Sequence, residues 1–521
     1  MLKSVNQQDN IAAERLLEFL APDPAWNRSL WSIGLCLGLS ELHEACTVAR
    51  TGTLSEAAVR RVCSVLTLRA GKDPALTKAE KTFLVSQIKE APRADSPAHH
   101  GIAEMAALLA RDYLERWAAV VRGPGFTVEH FARSIASHLL DAGFSASHLH
   151  AFIRQRLRSE EPVTLAALCE ALHAEMRSNP SRPFEVLLAY ARPPKLAGGI
   201  PKHWLWSKDI AQWLTANGFS TSGVRPSVGF VLTVHARDFA GAAQAAREES
   251  DRFAARALIA TGLPLERLPH LWVKGAQAPA RQNGDSRGVR VEALYREDRV
   301  FSASSSSNVD AAIELLSHLE ASSPTAAIAG GWGAIEGLLA DPGDRATAAD
   351  NLASLVACSF LRAELTTLSY KAEREHAEVR DQLKLFNSNR ERSRVIASLI
   401  LDNRLPTLRS LDDQAAVMRV KKVLDNPSPE LQTIRSAIAE AFHRLYRQRN
   451  LILHGGKIDS VTLTASLRTV AKLAGAGMDR ITHGQYVQTL RPLELVARAN
   501  LSIALISRDK ALSCVDLLEM H

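Results

Sequence analysis

The sequence predicts a mainly α-helical protein of several domains, in which a small α/β module separates a helical N-terminal region from a C-terminal helical bundle. The chain has 521 residues, more than one domain of about 100–200 residues holds. Apolar residues recur at helical spacing over most of its length, and one stretch is instead rich in β-branched residues. We therefore expect domains at residues 1–95, 96–205, 206–307 and 308–521.

Composition favours a folded cytoplasmic protein. The chain is 46% hydrophobic, and its net charge of +7 permits an acidic partner such as RNA. Its six cysteines are scattered without a C-x-x-C pair, as expected in a reducing compartment. No stretch has the ~18 uninterrupted apolar residues that span a bilayer, and the N-terminus lacks the apolar core of a signal peptide. We expect no membrane association.

Consecutive helices are predicted over the first 205 residues. The stretch Pro22-Asp23-Pro24 ends the first helix, and Ser55 is a plausible N-cap for the third. The Pro- and Ser-containing segment 91–97 and the Gly-Gly-Ile-Pro segment 198–201 are the boundary signals. Between them, helical patterns cover roughly 101–122, 126–142, 162–178 and 183–191.

The middle module is predicted from a change in residue types. Residues 228–234 are β-branched and aromatic, which favours a strand, and an alanine-rich helix follows over about 239–260. Residues 271–273 and 289–295 resemble short strands. The serine run 304–307 then predicts a linker to the last domain.

The C-terminal domain is again predicted to be helical. Ser323-Pro324 and Ser428-Pro429 each place a hydroxyl before a proline that can begin a helix, and the longest helical pattern covers about 348–386. Neither a P-loop, an H-E-x-x-H motif nor a G-x-S-x-G motif occurs, and no histidine has metal-ligand spacing to other ligands. We therefore predict no metal site and no cofactor.

One segment, residues 442–457, stands apart because it holds four Arg or Lys residues, two histidines and no acid. It ends a helix whose apolar residues form a single stripe. At 100° per residue, Arg447, Asn450 and His454 share the face opposite that stripe, whereas Arg449 lies on its flank. Gly455-Gly456 supplies a C-cap, and the helix dipole would favour the protonated form of His454.

The stretch Arg449-Asn450-Leu451-Ile452-Leu453-His454 resembles the R-N-x-x-x-H motif of HEPN domains (higher eukaryotes and prokaryotes nucleotide-binding). The likeness to the ribonuclease branch extends to Gly455. Residues 332–339 also resemble the W-x-x-[IL]-E-x-L pattern in the first long helix of that branch. The resemblance covers roughly residues 308–510.

This resemblance implies a metal-independent endoribonuclease whose products are a 2′,3′-cyclic phosphate and a 5′-hydroxyl. His454 would act as general base or acid, Arg449 would hold the scissile phosphate, and Asn450 would orient either of them. Two HEPN domains would build one composite site, so a homodimer is expected. The protein would be a toxin-like effector of anti-phage defence, with residues 1–305 sensing a phage-derived trigger or answering to an antitoxin.

Several alternatives stay open at this stage. Arg447 also fits the family spacing and lies closer to His454 on an ideal helix, although we favour Arg449. We expect Arg444, Arg447 and Lys457 to contact RNA, and Glu336 to support the motif helix or to form a structural ion pair. The basic cluster can instead satisfy the helix end alone. In that case the domain would be a non-catalytic module that binds RNA or nucleotides or dimerises, or a structural adaptor.

Overall fold

A computed structural model describes residues 7–158, 163–196, 198–282, 286–304 and 307–519. Over these residues the chain is mainly helical, with a small antiparallel sheet in the middle of the sequence. This arrangement confirms the predicted fold class in its outline.

The N-terminal region consists of eight helices. They are α1 (Gln7–Leu20), α2 (Leu35–Ala49), α3 (Glu56–Lys72), α4 (Lys78–Ile88), α5 (Pro97–Val120), α6 (Val128–Asp141), α7 (Ala146–Leu157) and α8 (Leu165–Ser178). Ser55 caps α3 as predicted, because its side chain accepts a hydrogen bond from the backbone N–H of Ala58. The apolar cores do not divide at residue 95. The first half of α5 packs with α2–α4, and its second half packs with α1 and α6–α8.

The middle module is built on an antiparallel sheet in the order β2-β3-β1-β4-β5. Its strands are β1 (Arg182–Tyr190), β2 (Leu205–Trp206), β3 (Val228–Ala236), β4 (His270–Val273) and β5 (Ala280–Arg281). Helices α9 (Ser207–Ala216) and α10 (Phe239–Thr261) pack on this sheet, whereas the short helix α11 (Glu292–Arg296) packs on the helix Leu463–Val487 of the C-terminal region. The predicted strands near residues 228 and 271 and the predicted alanine-rich helix are confirmed.

Two sequence predictions for this module were wrong. Residues 183–191 form the central strand β1 and not a helix, so the sheet begins before residue 206. This strand is apolar on both faces: Val186 and Leu188 pack on one side, and Leu187 packs on the other. A strand buried on both faces has the same continuous apolar run as a buried helix. The strand predicted at 289–295 is instead the short helix α11.

The C-terminal bundle contains nine helices in the described part of the chain. They are α12 (Asn308–Ala321), α13 (Pro324–Leu339), α14 (Thr347–Glu375), α15 (Ala377–Leu383), α16 (Asn389–Leu401), α17 (Leu411–Asp425), α18 (Pro427–Leu453), α19 (Leu463–Val487) and α20 (Pro492–Leu505). A 3₁₀ segment, Arg508–Asp516, follows them. The helix predicted over 348–386 is interrupted at His376, whose backbone is extended.

Helix α14 lies in the core of this bundle and contacts α13, α16, α18, α19 and α20. Within the described residues it is the one helix whose length and composition would suit a membrane span, and 72% of its apolar stretch is buried in the bundle. Core packing therefore accounts for its apolar character.

The N-terminal region and the C-terminal bundle share their cores. Trp31 packs into the C-terminal core, and Ala415 packs into an N-terminal one. Arg28, which is 6% exposed, bonds Glu364 of α14 and Asp413 of α17 at 3.0 Å each. Because the two regions are packed so closely, α2 lies against α18, the helix that carries the predicted motif.

Candidate functional site

The end of α18 has the backbone geometry that the sequence predicts. The N–H of His454 donates to the Asn450 carbonyl at 3.0 Å, and the chain then reverses at Gly456, whose φ is +61°. Gly455 is required for a different reason: a Cβ there would lie 2.8 Å from the Leu451 oxygen and 2.8 Å from Thr53 Cγ2. The two glycines therefore end the helix and leave His454 at its tip.

Three motif side chains form one contact group at this tip. Arg449 Nη1 lies 2.8 Å from His454 Nε2 and donates to Asn450 Oδ1 at 3.0 Å. A guanidinium has only donors, so Nε2 must be the acceptor in this contact.

The three side chains differ in their access to solvent. His454 is exposed, the Arg449 side chain is 14% exposed, and Asn450 is 9% exposed. An ideal helix would place Arg449 and His454 about 140° apart. The contact forms because the arginine side chain is long and His454, with φ of −104°, is the C-cap residue that follows the last regular turn of the helix. The arrangement presents an accessible imidazole with a cation held behind it.

Helix α13 supports this group from the other side. Glu336 Oε2 lies 3.9 Å from Arg449 Nη2, and it accepts a hydrogen bond from the indole N–H of Trp332. Arg345 also pairs with Glu336, at 3.2 Å. The buried Trp332 ring lies 4.8 Å from that of Tyr446 on α18, so the two helices are joined by packing as well as by charge. Glu336 thus pairs with Arg449 of the motif helix and shares its charge with Arg345.

Arg444 and Arg447 have a different environment from the one we expected. Arg447 Nη2 lies 2.7 Å from Glu41 and 2.6 Å from Glu440, and Arg444 Nε lies 3.1 Å from Glu41. Both arginines are at most 3% exposed. The wheel correctly turns Arg447 away from the core of its own helix, but α2 covers that face and pairs with both arginines. The expectation that they contact RNA is not met in this arrangement, because neither guanidinium is accessible.

The electrostatics of this cluster follow from its pairing. Burial alone would raise the pKa of Glu440, but Arg447 and Arg444 hold that pKa below its usual value. Glu41 shares both arginines. These are therefore structural charges that join α2 to α18, and their partners on α2 lie some four hundred residues away in sequence.

Lys457 is also paired with acids. Its Nζ lies 2.8 Å from Asp459 and 3.4 Å from Glu44 of α2. The hydrogen bond to Asp459 and the charge of Glu44 raise the pKa of Lys457. Sequence analysis missed Glu41 and Glu44, and it took the absence of acids between residues 440 and 459 for a basic surface. In the folded chain α2 supplies the missing acids.

Among the described residues, no group of three or more His, Cys, Asp or Glu side chains is placed to hold a metal ion. No family model, curated protein or solved structure matches the chain. The site is therefore interpreted from its own geometry.

Proposed function

We propose that the protein is a metal-independent endoribonuclease that cleaves RNA through attack by its own 2′-hydroxyl. The observation that carries this proposal is the contact of Arg449 Nη1 with His454 Nε2 at an exposed helix tip. It combines a proton acceptor with a permanent cation, the two groups that this reaction needs when RNA supplies the nucleophile.

In the proposed reaction, His454 Nε2 takes the proton of the 2′-hydroxyl as O2′ attacks the adjacent phosphorus. The P–O5′ bond breaks, and the leaving oxygen takes up a proton, which gives a 2′,3′-cyclic phosphate and a 5′-hydroxyl. Arg449 exchanges its contact with His454 for a non-bridging phosphate oxygen and offsets the charge that develops there. Asn450, which already holds Arg449 through Oδ1, keeps the guanidinium in place.

We further propose that two copies assemble this site as a homodimer, in which the second His454 protonates the leaving oxygen. The exposure of His454 at a helix tip supports this assembly, because a second tip can approach it. The contact of α2 with the motif helix supports a regulatory role for the N-terminal region. A toxin-like effector of anti-phage defence in the cytoplasm, controlled by a trigger or an antitoxin, fits such an arrangement.

The direct test uses 5′-labelled RNA and the purified full-length protein in excess EDTA. We expect cleavage products that end in a 2′,3′-cyclic phosphate, and a loss of at least about a hundredfold in the His454→Ala variant. The matched control is His270→Ala, which removes an exposed histidine from the sheet module. Cleavage that survives His454→Ala would contradict the assignment of the base.

A second candidate is a non-catalytic module that binds RNA or nucleotides or mediates dimerisation. The pairing of Arg444, Arg447 and Lys457 with acids favours the dimerisation form of this candidate, since little unpaired positive charge is left beside the tip. The RNA-binding form predicts salt-dependent RNA binding without turnover. Equal RNA affinity in wild type and His454→Ala, with no products from either, would select this candidate.

A further inference from the structure

A cavity of about 650 Å³ lies between the N-terminal region and the C-terminal bundle. Helices α3 and α6 and the segment before α2 form one side, and α14, α17 and α18 form the other. It is distinct from the tip of α18: the α18 residues that line it, Glu430 to Arg444, precede the Arg449–His454 group by one turn or more. No residue of the proposed ribonuclease site lines it.

Several hydrogen-bond donors in this wall lack a partner among the described residues. They are Asn27 Nδ2, Ser32 Oγ, Arg419 Nη1 and Arg444 Nη1. An unpaired buried donor costs about 1–3 kcal/mol, and more when it is charged. A ligand that carries hydrogen-bond acceptors would satisfy these donors, and Glu440 Oε2 in the same wall is an acceptor that lacks a donor.

The charge of the wall points to the same kind of group. Six cations line the cavity against three acids, Glu129, Glu430 and Glu440; the cations are Arg15, Arg69, Arg133, Arg419, Lys422 and Arg444. Arg69 bonds the Ile33 carbonyl and forms no ion pair with a described carboxylate. Burial and the nearby charge of Arg444 lower the pKa of Arg69. The other five cations each pair with a carboxylate, so Arg69 is the wall cation that an anion in the cavity would pair with.

The rest of the wall is apolar and partly aromatic. Trp31 and Phe360 meet edge to face, with ring centroids 5.7 Å apart. Leu68 and Met418, which are 64% and 53% exposed, are large apolar side chains that remain in contact with solvent. A ligand that fits this wall needs an apolar body beside its anionic group.

We propose that this cavity binds a small molecule in which a phosphate is joined to a flat ring, that is, a compound of the nucleotide class. Arg69 receives the phosphate, and the apolar wall receives the ring. This inference goes beyond the proposed ribonuclease function and does not depend on it, because binding can be measured without cleavage.

The test measures the fluorescence of N-methylanthraniloyl-ADP added to the full-length protein. We expect saturable binding that unlabelled ADP displaces, whereas adenosine alone or inorganic phosphate alone displaces it at least about tenfold less well. The Arg69→Gln variant should bind at least about tenfold more weakly. Arg60→Gln on the same helix, at a 64% exposed side chain, should bind as wild type does.

A second variant protects the test against misfolding. Ala437 is an exposed residue of the wall, so Ala437→Trp should fill the cavity without removing any charge. Circular dichroism would establish that each variant is folded. Absence of binding at about 1 mM probe would overturn the proposal. So would binding that neither Arg69→Gln nor Ala437→Trp weakens, or displacement by phosphate alone as effective as that by ADP.

Discussion

Arg447 and Arg449 are two residues apart, yet the fold gives them separate tasks. Arg449 reaches His454, while Arg447 is buried between Glu41 and Glu440. The R-N-x-x-x-H spacing predicted the first contact because its members are local in sequence. The ideal wheel favoured Arg447 because it shows neither the length of an arginine side chain nor the helix that covers the opposite face.

Replacing Arg449 by lysine should show whether the positive charge alone is enough or whether the planar guanidinium is needed. A lysine keeps the cation but cannot contact His454, Asn450 and Glu336 at once, because it lacks the planar fork. We expect Arg449→Lys to cleave RNA about 10- to 100-fold more slowly in single-turnover assays. Its free energy of unfolding should equal that of the wild type. Arg491→Lys, at an 81% exposed side chain, is the control. An Arg449→Lys enzyme of full activity would show that the fork is not needed.

Arg447 should behave in the opposite way. Arg447→Ala leaves two buried carboxylates short of a cation, which should lower the free energy of unfolding by about 3–5 kcal/mol. Arg491→Ala removes an exposed pair with Glu494, which solvent screens, and should leave the free energy of unfolding nearly unchanged. Urea unfolding of both variants makes the comparison. Equal effects would mean that the Arg447 cluster contributes no more than a surface pair.

At the scale of elements, local signals were predictable and tertiary ones were not. The end of α18 was predicted by its glycines, and α10 by its alanine-rich pattern. Strand β1 was taken for a helix because both of its faces are buried against other parts of the chain. Its partners β3 and β4 decide its conformation, and the paired residues lie 38 or more positions further on.

The last turn of the motif helix allows a stability test. Gly456 has φ of +61°, a conformation that costs a residue with a Cβ about 1 kcal/mol, and asparagine less. We expect Gly456→Ala to lower the free energy of unfolding by that amount, and Gly456→Asn to lower it less. Thermal unfolding of the two variants checks the order. A reversed order would argue against a left-handed cap here.

The residues that follow the 3₁₀ segment are held by a partly buried ion pair that responds to pH. Burial raises the pKa of Glu519, but Arg362 and Arg480 outweigh it and lower that pKa to about 2. A carboxyl group whose pKa is lowered in the folded state stabilises the fold above about pH 4, and this contribution disappears as the pH falls toward about 2. The difference in unfolding free energy between wild type and Glu519→Gln should therefore shrink in acid. Urea unfolding at several pH values measures it.

At the scale of the whole molecule, the sequence predicted domains in series, whereas the structure interlocks them. Trp31 belongs to the C-terminal core, Ala415 to an N-terminal one, and Leu451 of the motif helix packs among α2–α5. Such contacts leave no local pattern, because each side alone looks like an ordinary apolar or charged helix face. The expectation that residues 1–305 regulate the nuclease stays a prediction. The shared cores offer a route by which a change in the N-terminal region could reach the motif helix.

Reversing one charge on α2 should test that route. Glu41→Lys places a third cation beside Arg444 and Arg447, which should weaken the contact of α2 with α18. We expect faster amide hydrogen exchange in both helices and unchanged exchange in the sheet module. Glu56→Lys, at an 86% exposed side chain of α3, is the matched control. Unchanged exchange in α2 would mean that apolar packing alone holds the two helices together.

The bare backbone of Gly455 has a mechanical consequence. The loop between α2 and α3 carries Thr53 directly against the residue that follows His454, where not even a methyl group would fit. The Thr53 side chain occupies the space beside Gly455, so a residue with a Cβ at position 455 would have to displace either this side chain or the end of the helix. The loop and the tip of α18 are therefore shaped to each other, and a substitution at position 455 would disturb both.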